Sequence, residues 1–337
     1  MRTVLVTGSA GFIGFHLVQL LLAEGFRVVG YDGMTDYYDV QLKERRHQML
    51  LQNQYFSAEI GMLEDFERLH ALALRERPDV IVHLAGQAGV RYSLDHPRAY
   101  LEANVVGTFN VMECARELKV DHLLMASTSS VYGANEDMPY SERQKCDTPL
   151  TFYAATKKAT EAMGHSYAHL WDLPTTMFRF FTVYGPWGRP DMAFFKFTKA
   201  ILEGAPIDIY NHGEMFRDFT YVTDLVRGIR LLIDAPPVRP ESAEAITGHD
   251  SLSPVAPFRV VNIGNSDKVK LMDFVEAIEA ACGREAVKNF LPMQAGDVPA
   301  TWADATLLKE LTGYAPRTKV REGISQFVAW YREYYQV

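Results

Sequence analysis

Apolar positions in the first half of the chain switch repeatedly between a period of two and a period near 3.6. Thr3 to Thr7 is a short β-branched run, and Phe12 to Leu22 then carries helical spacing. The alternation continues with strands at Arg27 to Tyr31, Tyr55 to Ile60, Asp79 to Leu84, Val120 to Ser127 and Thr175 to Phe180. Helices are expected over Leu63 to Arg75, from near Pro97, and from Tyr153 to about Trp171. Strands alternating with helices predict an α/β fold, a doubly wound parallel sheet covered on both faces, with ligands at the carboxyl ends of the strands. After Gly185 the pattern is less regular. Helices are expected at Phe194 to Glu203, Asp224 to Ile233, Leu271 to Ala281 and from Ala305 and Val320. Extended segments are expected at Pro206 to Tyr210, Phe219 to Tyr221 and Arg259 to Ile263. The proline-rich stretch Ala235 to Pro257 reads as a surface loop of low order. Residues 1–185 are expected to form the main domain, with later segments returning to it, and 186–337 mainly a smaller α/β substrate-binding lobe.

Composition narrows the class. At 337 residues and 48% apolar content the chain can bury more than one core. Its net charge of −8 contains no basic block, so no nucleic-acid partner is expected. Three cysteines, Cys114, Cys146 and Cys282, are too few and too scattered for a disulfide framework and suggest a reducing compartment. No apolar run approaches the length of a membrane span and no signal peptide is apparent, so a soluble cytoplasmic protein is expected.

The chemistry begins with Gly8, Gly11 and Gly14, which follow the first strand at three-residue intervals and open a helix. Glycines there let the backbone approach a pyrophosphate whose charge is received by the helix N-terminus. Asp32 ends the second strand, where an acidic side chain accepts hydrogen bonds from an adenosine ribose and repels a 2′-phosphate, which favours NAD over NADP. The sheet is therefore read as Rossmann-type. A hydroxyl run, Ser127 to Ser130, lies at the end of the fifth strand, and Tyr153 is followed four positions later by Lys157. Residues at that spacing share one helix face, about 5 to 6 Å apart at Cβ, so the ammonium is expected to lower the pKa of the phenol toward that of a working base. Arg189, in a Gly-Arg-Pro turn after the sixth strand, offers a planar fork that matches a carboxylate.

Longer segments carry a family resemblance. These are Gly8 to Gly14; Asp36 to Asp39 with Leu42 and Lys43; His83 to Ser93; Ser127 to Gly133; Tyr153 to Lys157; Arg179 to Ala193; Arg217 to Phe219; and Gln294 to Thr301. Over nearly its whole length the chain resembles the extended short-chain dehydrogenase/reductases, the NAD-dependent epimerases and dehydratases, and among them is most similar to the UDP-glucuronate 4-epimerases. Gly33, Gly86 and Glu59 depart from residues more usual in that family, which bears on details of the cofactor contacts.

The resemblance implies NAD as cofactor, in contact with Gly8, Gly11, Phe12, Ile13, Gly14, Asp32, Ile60, Leu84, Ala85, Gln87, Asn104, Ser127, Tyr153 and Lys157. It implies that Tyr153 takes the proton of the sugar 4-hydroxyl, that Thr128 bonds the same oxygen, and that Lys157 holds the nicotinamide ribose. Hydride passes from carbon 4 to NAD and back to the other face of a rotated 4-keto sugar. For the UDP-sugar it implies Arg91, Thr128, Ser129, Ser130, Thr182, Arg189, Tyr210 stacked on uracil, Arg217 on the diphosphate and Asp297 on the ribose. Thr182 stands where glucose-type epimerases have Asn, in agreement with a uronate substrate. A homodimer through the helices around Pro97 to Leu118 and Thr151 to Trp171 is implied as well.

Other readings are weaker. A UDP-glucuronate decarboxylase would share the 4-keto intermediate, and a 4-epimerase of neutral UDP-hexoses would share the catalytic groups. A 4,6-dehydratase usually carries Asp-Glu after its catalytic threonine, where Ser129 and Ser130 stand here. An NAD-sensing regulator commonly lacks the Tyr and Lys. His165 and His169 have the spacing of metal ligands but no Glu or third ligand, so no metal is expected. Phe194, Phe195 and Phe197 read as core.

Overall fold

The computed structural model describes residues 1–294 and 297–337. Six strands alternate with helices through the first half: β1 Thr3–Thr7, β2 Arg27–Asp32, β3 Phe56–Ile60, β4 Val80–His83, β5 His122–Thr128 and β6 Thr175–Phe180. A seventh, Phe258–Ile263, arrives late in the chain and pairs with β6. All are parallel, in the order Phe258–Ile263, β6, β5, β4, β1, β2, β3. The chain thus starts in mid-sheet, runs outward to β3, and crosses back to β4 beside β1. That reversal opens a crevice at the carboxyl ends of β1 and β4.

Side-chain alternation divides the core between the two faces. Val4 and Val6 pack with Phe15, Val18, Val226 and Ile229 on one side, whereas Leu5 packs with Leu69, Leu72, Val111 and Tyr167 on the other. Every residue of β5 is buried because helices cover both faces. The helices Phe12–Ala23 and Val222–Leu232 therefore lie on the same face, although about 200 positions of sequence separate them. A third, aromatic cluster gathers Tyr184, Phe194, Phe195, Phe219, Phe274 and Phe327 beyond the strand ends, with Phe219 and Phe274 stacked at 3.8 Å.

Several elements differ from the sequence reading. The helix Val40–Leu51 has no counterpart in it, because its buried residues are Leu42, Lys43, Arg46 and Leu50, and two cations on the inner face break the apolar stripe. The helix expected from Leu63 begins at Phe66, where the carboxylate of Asp65 caps it by accepting from Arg68 N. The helical stretch from Pro97 contains a π-helical turn over Leu101–Val106. Residues 235–257 carry little regular structure, but they are fastened. Arg239 binds Asp172, Arg259 holds Asp250 through two bonds, and His165 and His169 bond Ser253 Oγ and the Val255 carbonyl. The i, i+4 histidines anchor this loop, and among the described residues no His, Cys, Asp and Glu grouping fits a metal ion.

One buried ion pair ties the helix Phe152–Trp171 to the sheet. Arg179 of β6 donates from Nε and Nη2 to Glu161 at 2.9 and 2.8 Å, both side chains being 3% exposed. Ser127 Oγ at the end of β5 donates to the same carboxylate at 2.7 Å. Burial pushes the Glu161 carboxyl up, but the bonds and charge of Arg179, with Lys158 and Ser127, outweigh it and hold it below its ordinary range. A carboxyl lowered on folding stabilises the fold above its unfolded pKa, and that contribution disappears as the pH falls through the folded value. Glu161→Ala leaves a buried guanidinium unpaired. It is expected to cost about 3 to 5 kcal/mol in denaturant unfolding at neutral pH, with the deficit shrinking as the solution is acidified. An equal deficit at neutral and acid pH would contradict the electrostatic account.

Candidate functional site

The glycine turn is built by close approach. Gly8 has φ of +74°, and a Cβ there would lie 2.8 Å from the amide nitrogen of Ala85; a Cβ on Gly14 would lie 2.0 Å from the carbonyl oxygen of Gly8. Helix Phe12–Ala23 starts at Gly11 with no side-chain cap and no acidic residue in its first turn, so its leading N–H groups are left for an anion. Gly8, Gly11, Phe12, Ile13 and Gly14 line a cleft of about 290 Å³ with Asp32, Leu84, Ala85, Gln87, Ser127, Tyr153 and Lys157. The cradle that only glycine permits, with free helix amides at one end and a carboxylate at the other, fits a dinucleotide.

The turn is also held from below. Asp32 accepts from the amides of Ala10 and Met34, both at 2.9 Å, so the ribose acceptor expected there also orders the turn itself. The fully buried Arg46 donates to the carbonyls of Ala10 (3.0 Å) and Trp187 (2.6 Å) and to the Tyr38 hydroxyl (2.9 Å). It thereby joins the glycine turn to the loop that carries Arg189. Lys43 lies beside Asp32 in the cleft, and burial lowers its pKa. Neither cation was given a role by the sequence reading. The signal that could have found them is Asp39, an N-cap before a helix whose i and i+3 positions on the apolar side are basic.

Two of the residues expected at the cofactor stand back from the cleft lining. Ile60 is 39% exposed and lies outside the cleft lining, which Met62, Leu63 and Glu64 supply instead, since the chain turns at Gly61 after β3. Asn104 is fully buried and does not line the cleft. Its side chain accepts from Gln87 N and donates to Gln87 O and Thr156 Oγ1, so it shapes the loop after β4 from behind. Glu59 binds Arg68 and Arg75.

A second, larger cleft of about 970 Å³ lies between the strand ends and the aromatic cluster. Its walls share Tyr37, Ala88, Thr128, Tyr153, Phe181, Arg189 and Met192 with the first cleft, so this is where the two meet. Thr151 caps the helix Phe152–Trp171 by accepting from Ala154 N, which sets Tyr153 in the first turn beside Thr128. Lys157 Nζ donates to the Ala126 carbonyl at 3.1 Å, and burial brings its pKa down to about 8. Burial raises the Tyr153 phenol; a hydrogen bond with Thr128 and the charge of Arg189 pull the other way. The Lys157 ammonium is thus directed at the end of β5.

Ser129, Ser130, Thr182, Arg91, Tyr210, Arg217 and Asp297 all line the second cleft. Arg91 bonds Asp297 at 3.0 Å and covers the Tyr210 ring at 5.0 Å, so the Asp297 carboxylate and the Tyr210 face expected to receive a nucleoside are both engaged by Arg91. Arg217 donates only to the carbonyls of Phe216 and Pro299, and among the described residues it makes no ion pair. Burial lowers its pKa, with Asp297 opposing. Arg189 gives Nε and Nη2 to Asp191 at 3.0 and 2.6 Å, so the fork expected to be free is occupied. Phe194 and Phe195 are core, whereas Phe197 reaches the cleft wall. Within the motif 294–301, residues 295 and 296 lie outside the described residues.

Comparison with known proteins agrees with this geometry. The chain is 56% identical over 332 residues to a probable UDP-glucuronate 4-epimerase of Rhizobium meliloti (strain 1021), covering 98% of this chain and 97% of that protein. It is 43% identical to UDP-glucuronate 4-epimerase 4 of Arabidopsis thaliana, over 99% of this chain and 76% of the plant protein. Among solved structures, UDP-glucuronic acid 4-epimerase from Bacillus cereus in complex with UDP-glucuronic acid and NAD superposes with a TM-score of 0.87 at 32% identity, covering 99% of this chain and 100% of that one. Residues 4–244 match the NAD dependent epimerase/dehydratase family, and the chain belongs to it.

Proposed function

We propose that the protein interconverts UDP-glucuronate and UDP-galacturonate by inverting carbon 4 through a transient 4-keto sugar, with NAD held in the first cleft and the UDP-sugar in the second. The observation that carries this reading is the junction of the two clefts at Tyr153 and Thr128, with Arg217, which makes no ion pair among the described residues, farther along the second cleft. NAD bound in the first cleft supplies a reversible hydride acceptor at that junction.

The chain's own residues supply position and charge. Tyr153 receives the proton of the 4-hydroxyl, and Thr128 holds the same oxygen. Lys157, cationic at neutral pH, holds the nicotinamide ribose at the end of β5. Arg217 takes the diphosphate, whose negative charge offsets the cost of burying its guanidinium. Tyr210 and Asp297 receive the uridine once Arg91 swings from them to the phosphates. Arg189, with Ser129, Ser130 and Thr182, receives the uronate end.

The assembly and setting belong to the same proposal. Leu101, Val106, Phe109, Phe152, Leu170 and Trp171 are exposed on the helical stretches 97–118 and 152–171, which supports a homodimer through those helices. We assign the nucleotide-sugar lobe mainly to residues 186–337. All three cysteines are buried and free, which supports a cytoplasmic setting, and no helix among the described residues is long and apolar enough to cross a membrane.

Incubation with UDP-glucuronate is expected to give UDP-galacturonate as the main product. UDP-xylose would establish the decarboxylase instead, and no conversion would reject both. Tyr153→Phe keeps the ring and removes the proton acceptor, so kcat should fall by about 10² to 10⁴; near-normal turnover would rule out the assigned base. Arg217→Met should raise the dissociation constant for UDP by about 10- to 100-fold, as expected for lost charge-assisted hydrogen bonds. Unchanged UDP affinity would show that Arg217 does not meet the diphosphate.

A further inference from the structure

The second cleft holds two arginines in opposite electrostatic states. Among the described residues Arg217 donates only to backbone carbonyls, so no carboxylate occupies its fork. Arg189 is neutralised by Asp191, two residues on, which takes the whole Nε–Nη2 edge of the guanidinium. The Tyr37 hydroxyl donates to the same carboxylate at 3.2 Å, and the Tyr37 ring faces the guanidinium at 5.8 Å. Tyr37, Arg189 and Asp191 all line the second cleft, so the arrangement faces the substrate.

We propose that Asp191 is a specificity-determining residue: an internal carboxylate seated in the fork of Arg189, which limits how firmly that guanidinium grips the carboxylate of the sugar and so leaves the keto sugar free to turn. The proposal rests on the reading of the substrate as a UDP-uronate. With Nε and one proton of Nη2 committed, Arg189 retains Nη1 and the outer Nη2 proton, an end-on edge that still accepts a second carboxylate. What that edge offers is hydrogen bonds without a net charge, because the Arg189–Asp191 pair is neutral. Burial opposes the charged form of Arg189, yet the bonds to Asp191 more than compensate and hold it firmly cationic. Asp191 is likewise held ionised against its burial by Arg189.

The asymmetry matches what each end of the substrate must do. The diphosphate stays in place through both half-reactions, and an arginine whose fork holds no carboxylate suits an anchor. The sugar has to turn over between them. A grip equally strong on the reactant and on the turned intermediate would deepen binding without speeding turnover. A neutral pair selects for a carboxylate by its donors while avoiding that trap.

The test measures dissociation constants of UDP-glucuronate and UDP-glucose on the NAD-loaded protein for wild type, Asp191→Asn, Asp191→Ser and Asp191→Glu. Removing a unit charge from beside the guanidinium that meets the substrate carboxylate should tighten UDP-glucuronate by about tenfold in the Asn and Ser variants. UDP-glucose, which lacks the carboxylate, should change by less than about twofold, and kcat for UDP-glucuronate should fall. Asp191→Glu keeps the charge and should keep the wild-type affinity ratio. An unchanged ratio in a variant that retains NAD, or an equal change for both sugars, overturns the proposal.

The wild type alone provides a second measurement that needs no variant to fold. A neutral pair predicts that the ratio of the two affinities shifts by less than about twofold between low and high salt, since screening acts on net charge. A ratio that collapses with salt would show Arg189 meeting the uronate as a free cation and would overturn the proposal. If the wild type converts UDP-glucuronate but the ratios contradict this account, Asp191 alone is misassigned. If it does not convert UDP-glucuronate, the substrate reading falls first.

Discussion

The buried pair of Glu161 and Arg179 fixes where the chemistry sits. Burying two charges is costly, and it is tolerated here because the carboxylate receives two bonds from Arg179, one from Ser127 and one from Lys158. Those partners come from β5, β6 and the helix Phe152–Trp171 itself. The helix is therefore set in register against the ends of two adjacent strands. Tyr153 and Lys157 are carried on its first two turns, so their placement beside Thr128 and the Ala126 carbonyl follows from the pair. Arg179 also lies over the Tyr132 ring at 4.7 Å, and Tyr132 bonds Asn262 on the neighbouring strand. The same polar core thus extends to the strand that arrives last in the chain.

From that fixed point the two clefts have different characters. The cofactor side is made by backbone: glycines in close approach, uncapped helix amides, and carbonyls held by Arg46. The substrate side is made by side chains from distant segments, with charges paired across the opening. A site in which one ligand is retained and the other exchanges every turnover suits such a division. Preformed backbone gives a tight seat, while Arg91 bridging to Asp297 and Tyr210 can be replaced by ligand contacts without disturbing the core.

How much of this the sequence discloses depends on the range of the interaction. The glycine turn, Asp32 at a strand end and the Tyr153/Lys157 spacing are local, and each is legible in fewer than about 35 consecutive positions. The family resemblance carried the substrate residues further than periodicity could. What remained hidden depends on contacts between remote segments. Arg91 and Asp297 are 206 positions apart, and nothing near either one discloses the pairing. Arg46 carries no sequence signal of its own, and its role appears only when the fold brings the loop at Trp187 over it. Asn104 is implied only by the family resemblance, and its bonds to the Gln87 loop appear only once the π-helical turn is built. Asp191 was visible two residues from Arg189, but the occupied fork appears only when the turn between them is built.

The central claim is that carbon 4 is oxidised and reduced within one closed site, with no exchange of its hydrogen with water. The most direct measurement uses UDP-glucuronate carrying deuterium at carbon 4, with the epimer isolated and its label determined by mass spectrometry and NMR. The account predicts UDP-galacturonate that retains deuterium at carbon 4 in full. Product carrying solvent hydrogen at that carbon would contradict it.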